Sequence, residues 1–120
     1  MRRSMNPRVE KVVRLIQEDL SRKVTLNEMA QAVGLSVEHL RRLFKSEIGM
    51  TPTQYQKKLR LFEARRLLES TFLNVQEIMV QVGLTDDSHF VRDFKKVYGL
   101  TPAQYRARHR SALREKKEHG

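Results

Sequence analysis

An internal repeat limits the folds open to this chain more than any other feature of the sequence. Residues 39–45 (HLRRLFK) and 49–55 (GMTPTQY) return fifty positions later as HFVRDFK and GLTPAQY. Upstream the offset is forty-nine, because the tripeptide VGL at 33–35 matches VGL at 82–84. One residue is therefore inserted in the second copy, where a turn accommodates it. Two tandem copies of one unit are predicted.

The apolar pattern of each copy is helical. Between Asn6 and Leu20, apolar residues recur at steps of three and four, with Asn6 as cap and Pro7 at the first helical position. Thr25 and Glu28 then form a predicted capping box ahead of a short helix. Gly34 ends that helix, and Ser36 caps the next one after a short turn. This succession is a helix-turn-helix, and no strand pattern occurs.

A long helix is predicted between the two units, at residues 51–70. It carries two apolar stripes on nearly opposite sides: Tyr55, Leu59 and Phe62, and Leu61, Ala64 and Leu68. Opposed stripes favour a helix that packs against two separate cores. The alternative is a single helical bundle with this helix buried at its centre. A helix of about 19 residues spans about 28 Å, close to the ~34 Å between major-groove openings on one side of DNA. We expect modules at 1–50 and 71–112, the linker helix at 51–70 and a charged tail at 113–120.

Charge and composition narrow the functional classes. With 24 basic and 14 acidic residues among 120, the net charge is +10, which favours nucleic acid, an anionic membrane or an acidic protein as partner. The chain has no cysteine, so disulfides, thiol catalysis and zinc fingers are excluded. No apolar run reaches ~18 residues and no signal peptide is recognisable, which indicates a cytoplasmic protein. No catalytic motif is present, and we expect no enzyme activity, cofactor or metal site.

The second helix of each unit has a polar face opposite its apolar one. The apolar residues expected to be buried are Leu40, Leu43, Phe44 and Ile48 in the first copy, and Phe90, Phe94, Val97 and Tyr98 in the second. A helix fits the major groove, where arginine binds guanine through two hydrogen bonds. Lysine and helix-start amides hold phosphates. One such face alone would be an ordinary solvated surface, but two copies in a chain of charge +10 favour DNA binding.

The two repeat copies, with the signature GLTDDSHF at 83–90 and FKK at 94–96, resemble the AraC/XylS family of bacterial transcription regulators. The segment LRLFEARRLL at 59–68 resembles its linker helix, and the similarity covers about residues 7–110. The resemblance implies an all-α fold of two homeodomain-like helix-turn-helix modules joined by a long helix. It also implies sequence-specific binding of promoter DNA by two recognition helices in adjacent major-groove segments.

The resemblance also implies roles for individual residues. Those expected to read bases are Glu38, Arg41, Arg42, Asp87, Ser88 and Arg92. Those expected at the DNA backbone are Ser36, His39, Lys45, Thr85, His89 and Lys95. Because Asp87 is acidic, it would repel phosphate and could accept only from a base amino group such as cytosine N4. The second helix therefore reads fewer bases, or only docks.

Two alternatives to specific DNA binding stay open from the sequence. The first is a basic helical adaptor for RNA polymerase or another acidic partner, with nonspecific DNA affinity only. The second is an enzyme with an unrecognised site. We expect double-stranded DNA and RNA polymerase as partners, no membrane association and a monomer. Many family members carry a sensing domain, which this length cannot hold, so the chain is either a regulator without an effector or the DNA-binding part of a longer protein.

Overall fold

The computed structural model describes residues 4–119, and helices are the only regular secondary structure within that range. The predicted all-α class with two helix-turn-helix units is therefore confirmed. Connections of three to seven residues separate the helices. They are α1 (Pro7–Glu18), α2 (Leu26–Val33), α3 (Val37–Ile48), α4 (Pro52–Ser70), α5 (Val75–Val82), α6 (Asp87–Tyr98) and α7 (Pro102–His119).

The chain divides into two compact units, Met1–Leu59 and Arg60–Gly120, and the division falls inside α4. Each unit has its own core. The first core is formed by residues of α1, α2 and α3: Val9, Val12, Ile16, Met29, Ala30, Leu40 and Phe44. The second core is formed by residues of α4, α5 and α6: Leu61, Ala64, Leu67, Leu68, Ile78, Met79, Val82, Phe90 and Phe94.

Helix α4 contributes a different half to each unit. Tyr55 and Leu59 pack on the first core, whereas the stripe of Leu61, Ala64 and Leu68 lies within the second. The buried residues of α1 (Val9, Val12 and Ile16) have the same three- and four-residue spacing as this second stripe. Each unit is therefore built from four helical segments. The C-terminal half of α4 is the first segment of the second unit as well as the end of the linker helix.

A tyrosine ties the fourth segment to the first in each unit. Gln17 of α1 donates from Nε2 to the hydroxyl oxygen of Tyr55 at 3.4 Å. The hydroxyl of Tyr105 donates to Oε1 of Glu69 at 2.7 Å, and partial burial together with the Glu69 contact raises the pKa of this phenol. Because Tyr55 and Tyr105 are equivalent in the repeat, the tie is a property of the unit.

The arginine that follows Tyr105 closes the C-terminal end of α4. The guanidinium of Arg106 donates to the carbonyls of Leu68 at 3.1 Å, Thr71 at 3.2 Å and Leu67 at 3.5 Å, and also to the carbonyl of Leu73. These carbonyls lie in or just beyond the last turn of the helix, where intrahelical donors run out. A cation also complements the negative end of the helix dipole. Arg106 thereby fixes α7 to the junction between α4 and α5.

Four local expectations from the sequence were wrong. Thr25 accepts from the amide of Glu28, but the Glu28 side chain pairs with Arg22 at 3.5 Å. Reciprocal capping boxes occur instead at Asn74 and Glu77, at Thr51 and Gln54 and at Thr101 and Gln104. Two apolar residues expected in cores are exposed, Phe62 by 50% and Val97 by 58%. Helix α7 continues to His119, where a tail was expected.

Both exposed residues have a structural explanation. Phe62 follows the end of the first unit, and in the second unit α4 packs through a different face, so the ring lies outside that core. The Arg65 guanidinium covers the Phe62 ring at 5.1 Å. At the end of α6, Tyr98 closes the core by packing 4.7 Å from the ring of Phe94, which leaves Val97 facing outward.

Candidate nucleic-acid interface

A glycine turn and a serine cap determine where the first recognition helix, α3, begins. Gly34 ends α2 with φ of 67°, a left-handed conformation that other residues rarely adopt. Ser36 then accepts the amide of His39 at 3.1 Å through its side-chain oxygen. Leu40 and Phe44 lie in the core, which orients the opposite side of α3 toward solvent.

The exposed side of α3 carries the residues expected from the sequence. Arg41, Arg42 and Lys45 are exposed together with Glu38. Arg41 Nη1 lies 3.3 Å from Glu38 Oε1, and the two side chains are 46% and 77% exposed. An exposed pair of this kind contributes at most about 1 kcal/mol, so Arg41 can exchange Glu38 for a base or phosphate at little cost.

In the second unit, the inserted residue changes which residue caps the recognition helix. Asp86 rather than Thr85 takes the place of Ser36, and its carboxylate accepts the amide of His89 at 3.0 Å. That hydrogen bond is the main reason why the pKa of Asp86 is lowered from its usual value. His89 Nδ1 also lies 3.3 Å from the same carboxylate. Sequence reasoning missed Asp86, although aligning backward from His39 and His89 at the fifty-residue offset identifies it.

Asp87 differs from the other five residues expected to read bases. Its side chain is exposed like theirs, but it has a partner on the neighbouring helix of its unit. Its carboxylate accepts a hydrogen bond from Nε2 of Gln76 on α5. The equivalent residue in the first unit is Val37, which packs against the core. The Asp87 side chain thus joins the two helices of the second helix-turn-helix.

The remaining polar residues of α6 lie on its exposed side. Ser88, Arg92 and Lys95 are all exposed, and Arg92 Nε is 3.9 Å from Asp93 Oδ1 while its side chain stays 69% exposed. Val91 is also exposed, by 36%. It occupies the position that Arg41 has in α3, and the sequence analysis did not single it out, although the repeat offset alone places it there.

Within the described part of the chain, two other kinds of site are absent. Among the side chains of residues 4–115, no group of three or more His, Asp or Glu is placed to hold a metal ion. In the same residues, no helix is both long and apolar enough to cross a membrane.

Comparison with known proteins agrees with this geometry. A family model described as a helix-turn-helix domain matches residues 29–108, which is two thirds of the chain and includes both recognition helices. The chain belongs to the AraC/XylS family. The resemblance seen in the sequence is thereby confirmed, and this family consists of transcription regulators rather than enzymes.

Relatives within the AraC/XylS family share both sequence and fold with the chain. The transcriptional regulator GbdR of Pseudomonas aeruginosa is 33% identical over 84 residues, covering 70% of this chain and 23% of GbdR. The C-terminal domain of AraT, a response regulator from Geobacillus stearothermophilus, is 33% identical, with a TM-score of 0.81 and 88% of each chain covered. The chain spans about a quarter of the length of curated relatives such as GbdR.

One structural relative was solved with nucleic acid. The DNA-binding domain of AdpA, a global transcriptional factor, was crystallised in complex with a target DNA. It is 27% identical to this AraC/XylS-family chain, with a TM-score of 0.84 and coverage of 89% of this chain and 96% of that domain.

Proposed function

We propose that this chain is the DNA-binding part, or the whole, of a bacterial transcription regulator that recognises promoter DNA by inserting α3 and α6 into adjacent major-groove segments. The proposal rests on the observation that both units expose an arginine and a lysine at equivalent positions: Arg42 and Lys45 on α3, and Arg92 and Lys95 on α6. The crystallisation of the AdpA domain with its target DNA supports the same reading.

The exposed residues divide by chemistry into base contacts and backbone contacts. Arg42 and Arg92 lie mid-helix on the solvent side, where a guanidinium can bind guanine O6 and N7 with two hydrogen bonds. Arg41 and Glu38 extend the base-reading face of α3, and Ser88 extends that of α6. Phosphate contacts come from Lys45 and Lys95, together with the polar residues at the helix starts, Ser36, His39, Thr85 and His89.

The two helices contribute unequally to this function. Ser36 caps α3 with a neutral hydroxyl, whereas the carboxylate of Asp86 caps α6 and adds negative charge next to the expected phosphate path. Asp87 already accepts a hydrogen bond from Gln76, so we assign it to positioning α6 rather than to reading a base. The first unit therefore supplies more of the affinity, and the second reads fewer bases.

The partners follow from this function. Two recognition helices in one chain match what a dimer of single helix-turn-helix proteins presents, so we propose that the chain binds its site as a monomer. The site would lie in promoter DNA of the bacterial cytoplasm, with RNA polymerase as the protein that the regulator contacts there.

Selection of binding sites from random duplex DNA at about 150 mM salt tests this function. We expect an asymmetric motif with two blocks about ten base pairs apart, one for each helix. If about six phosphates are contacted, affinity falls about a thousandfold between 50 and 200 mM salt. Absence of any enriched sequence, together with shallow salt dependence, would reject the proposal in favour of a basic adaptor for an acidic protein.

A further inference from the structure

An apolar residue stands at the edge of the exposed face of α6. Val91 is 36% exposed and has Ser88 three positions before it and Lys95 four positions after it. Residues at these spacings are neighbours on one side of a helix. Arg92, the proposed base-reading arginine, is adjacent in sequence and also exposed.

Val91 has no place in the core of its unit. The buried face of α6 is formed by Phe90 and Phe94, and Val91 is absent from the residues that pack against this core. A single exposed valine is common on protein surfaces and by itself indicates nothing. What distinguishes Val91 is its position, because the equivalent residue on α3 is Arg41, one of the residues proposed to read bases.

The major groove offers one apolar group to such a side chain. Guanine, cytosine and adenine present hydrogen-bonding atoms there, whereas thymine also presents its C5 methyl group. Valine in a helix keeps essentially one side-chain rotamer, so its two methyl groups form a fixed surface. Contact with a base methyl would therefore require little loss of side-chain freedom.

We propose that Val91 is a specificity-determining residue that contacts the C5 methyl of a thymine in the half-site bound by α6, next to the base read by Arg92. This inference rests on the proposed DNA-binding function. The hydrogen bond from Gln76 to Asp87 supports it, since it fixes the first turn of α6 against α5. The chain then reads its two half-sites by different chemistry, with polar and charged groups through α3 and partly with an apolar contact through α6.

Replacement of thymine by deoxyuridine in the selected site tests the contact, because it removes only the methyl group. Each thymine of the second half-site is replaced in turn, and dissociation constants are measured for the wild type and for Val91→Ala. We expect one replacement to weaken wild-type binding about fourfold, the value for one buried methyl-sized group. The same replacement leaves the binding of Val91→Ala unchanged.

Two further variants make the result specific. Val97→Ala removes the same atoms from an exposed valine on the same helix, outside the proposed face, and should keep the wild-type sensitivity to deoxyuridine. Val91→Thr retains one of the two methyl groups and should keep part of the sensitivity to deoxyuridine. Circular dichroism of each variant establishes that α6 is folded.

The outcomes separate this inference from the proposed function. If the second half-site has no thymine, or no thymine is sensitive, or Val91→Ala remains as sensitive as the wild type, the inference is overturned. In those cases, weaker binding of the selected site by Arg92→Ala than by the wild type would still support the DNA-binding function. If no sequence is selected at all, the DNA-binding function itself fails.

Discussion

At the scale of single residues, equivalent positions of the two units carry different side chains where a phosphate or base would approach. Ser36 corresponds to Asp86, Val37 to Asp87 and Arg41 to Val91, whereas Arg42 and Lys45 correspond to Arg92 and Lys95. We infer that the charge pattern shared by the two copies serves DNA binding, and that the differing positions give the two helices different specificities. Substitutions on α3 and α6 should therefore have unequal effects.

Arg42 and Lys45 should give distinguishable defects. Arg42→Ala removes a bidentate base contact, so we expect a loss of about 1–3 kcal/mol on the selected site and a relaxed preference at one base pair. Lys45→Ala removes a phosphate contact, so it should weaken all sequences alike and lower the salt slope by about one. Titrations on selected and scrambled DNA at several salt concentrations distinguish the two. Unchanged binding by both variants would contradict the placement of α3 in the groove.

Arg106 should control the stability of the second unit. Arg106→Ala removes one donor from each of four carbonyls near the end of α4, of which that of Leu67 still accepts from Thr71. We expect a loss of roughly 2 kcal/mol in the free energy of unfolding. Arg106→Lys should recover part of it, because an ammonium reaches fewer carbonyls than the planar guanidinium does. Arg108→Ala is the matched control, since Arg108 is exposed on the same helix and its removal should cost under about 0.5 kcal/mol. Equal midpoints of urea unfolding for the two alanine variants would disprove the role.

At the scale of helices, α4 shows how far the sequence carries the prediction. Its opposed stripes correctly placed Tyr55 and Leu59 at one core and Leu61, Ala64 and Leu68 at the other. Helical periodicity gives the side of a helix on which a residue lies, but not the position along the helix at which one core ends. Phe62 continues the first stripe beyond that point, and it is therefore exposed.

The recognition helices show the same limit at the candidate site. Their polar faces and their caps are local features, and the repeat offset locates nearly all of them from sequence. The contact between Gln76 and Asp87, and the reach of Arg106 to carbonyls more than thirty residues away, depend on how helices pack. No spacing rule within one helix encodes such contacts, so they required the structure.

The different caps of α3 and α6 predict a pH effect confined to α6. The pKa of Asp86 is lowered by its hydrogen bond with the His89 amide, so the cap stabilises α6 above the unfolded-state pKa of about 3.9. That stabilisation is lost as the pH falls through the lower pKa of the folded state. By NMR, the His89 amide should shift with a midpoint below about 3.9, whereas the His39 amide, capped by Ser36, should not shift there. Asp86→Ser should abolish the His89 transition, and a midpoint above the ordinary value would contradict this account.

At the scale of the whole molecule, the proposed function depends on one continuous helix that serves two cores. Residues up to Leu59 pack in the first unit and residues from Leu61 onward in the second, so the point between Leu59 and Arg60 can accept inserted residues with little loss of packing within either unit. An α-helix turns by about 100° and rises by about 1.5 Å per residue. Inserted residues at this point therefore lengthen and turn α4 while each unit keeps its own core.

We predict that one alanine inserted between Leu59 and Arg60 abolishes the cooperation of the two helices on the selected site. Affinity should fall to that of a variant in which Arg92 and Lys95 are replaced by alanine, because the second helix no longer meets its half-site. Seven inserted residues restore the rotation to within about 20° but lengthen the helix by about 10 Å, which equals about three base pairs. This longer variant should not regain affinity on the original site, because its second helix is displaced. Three additional base pairs between the blocks should not restore it either, because they turn the second block by about 100° around the DNA axis. If the single insertion binds the original site as tightly as the wild type does, α4 does not set the spacing, and the second unit only docks on DNA.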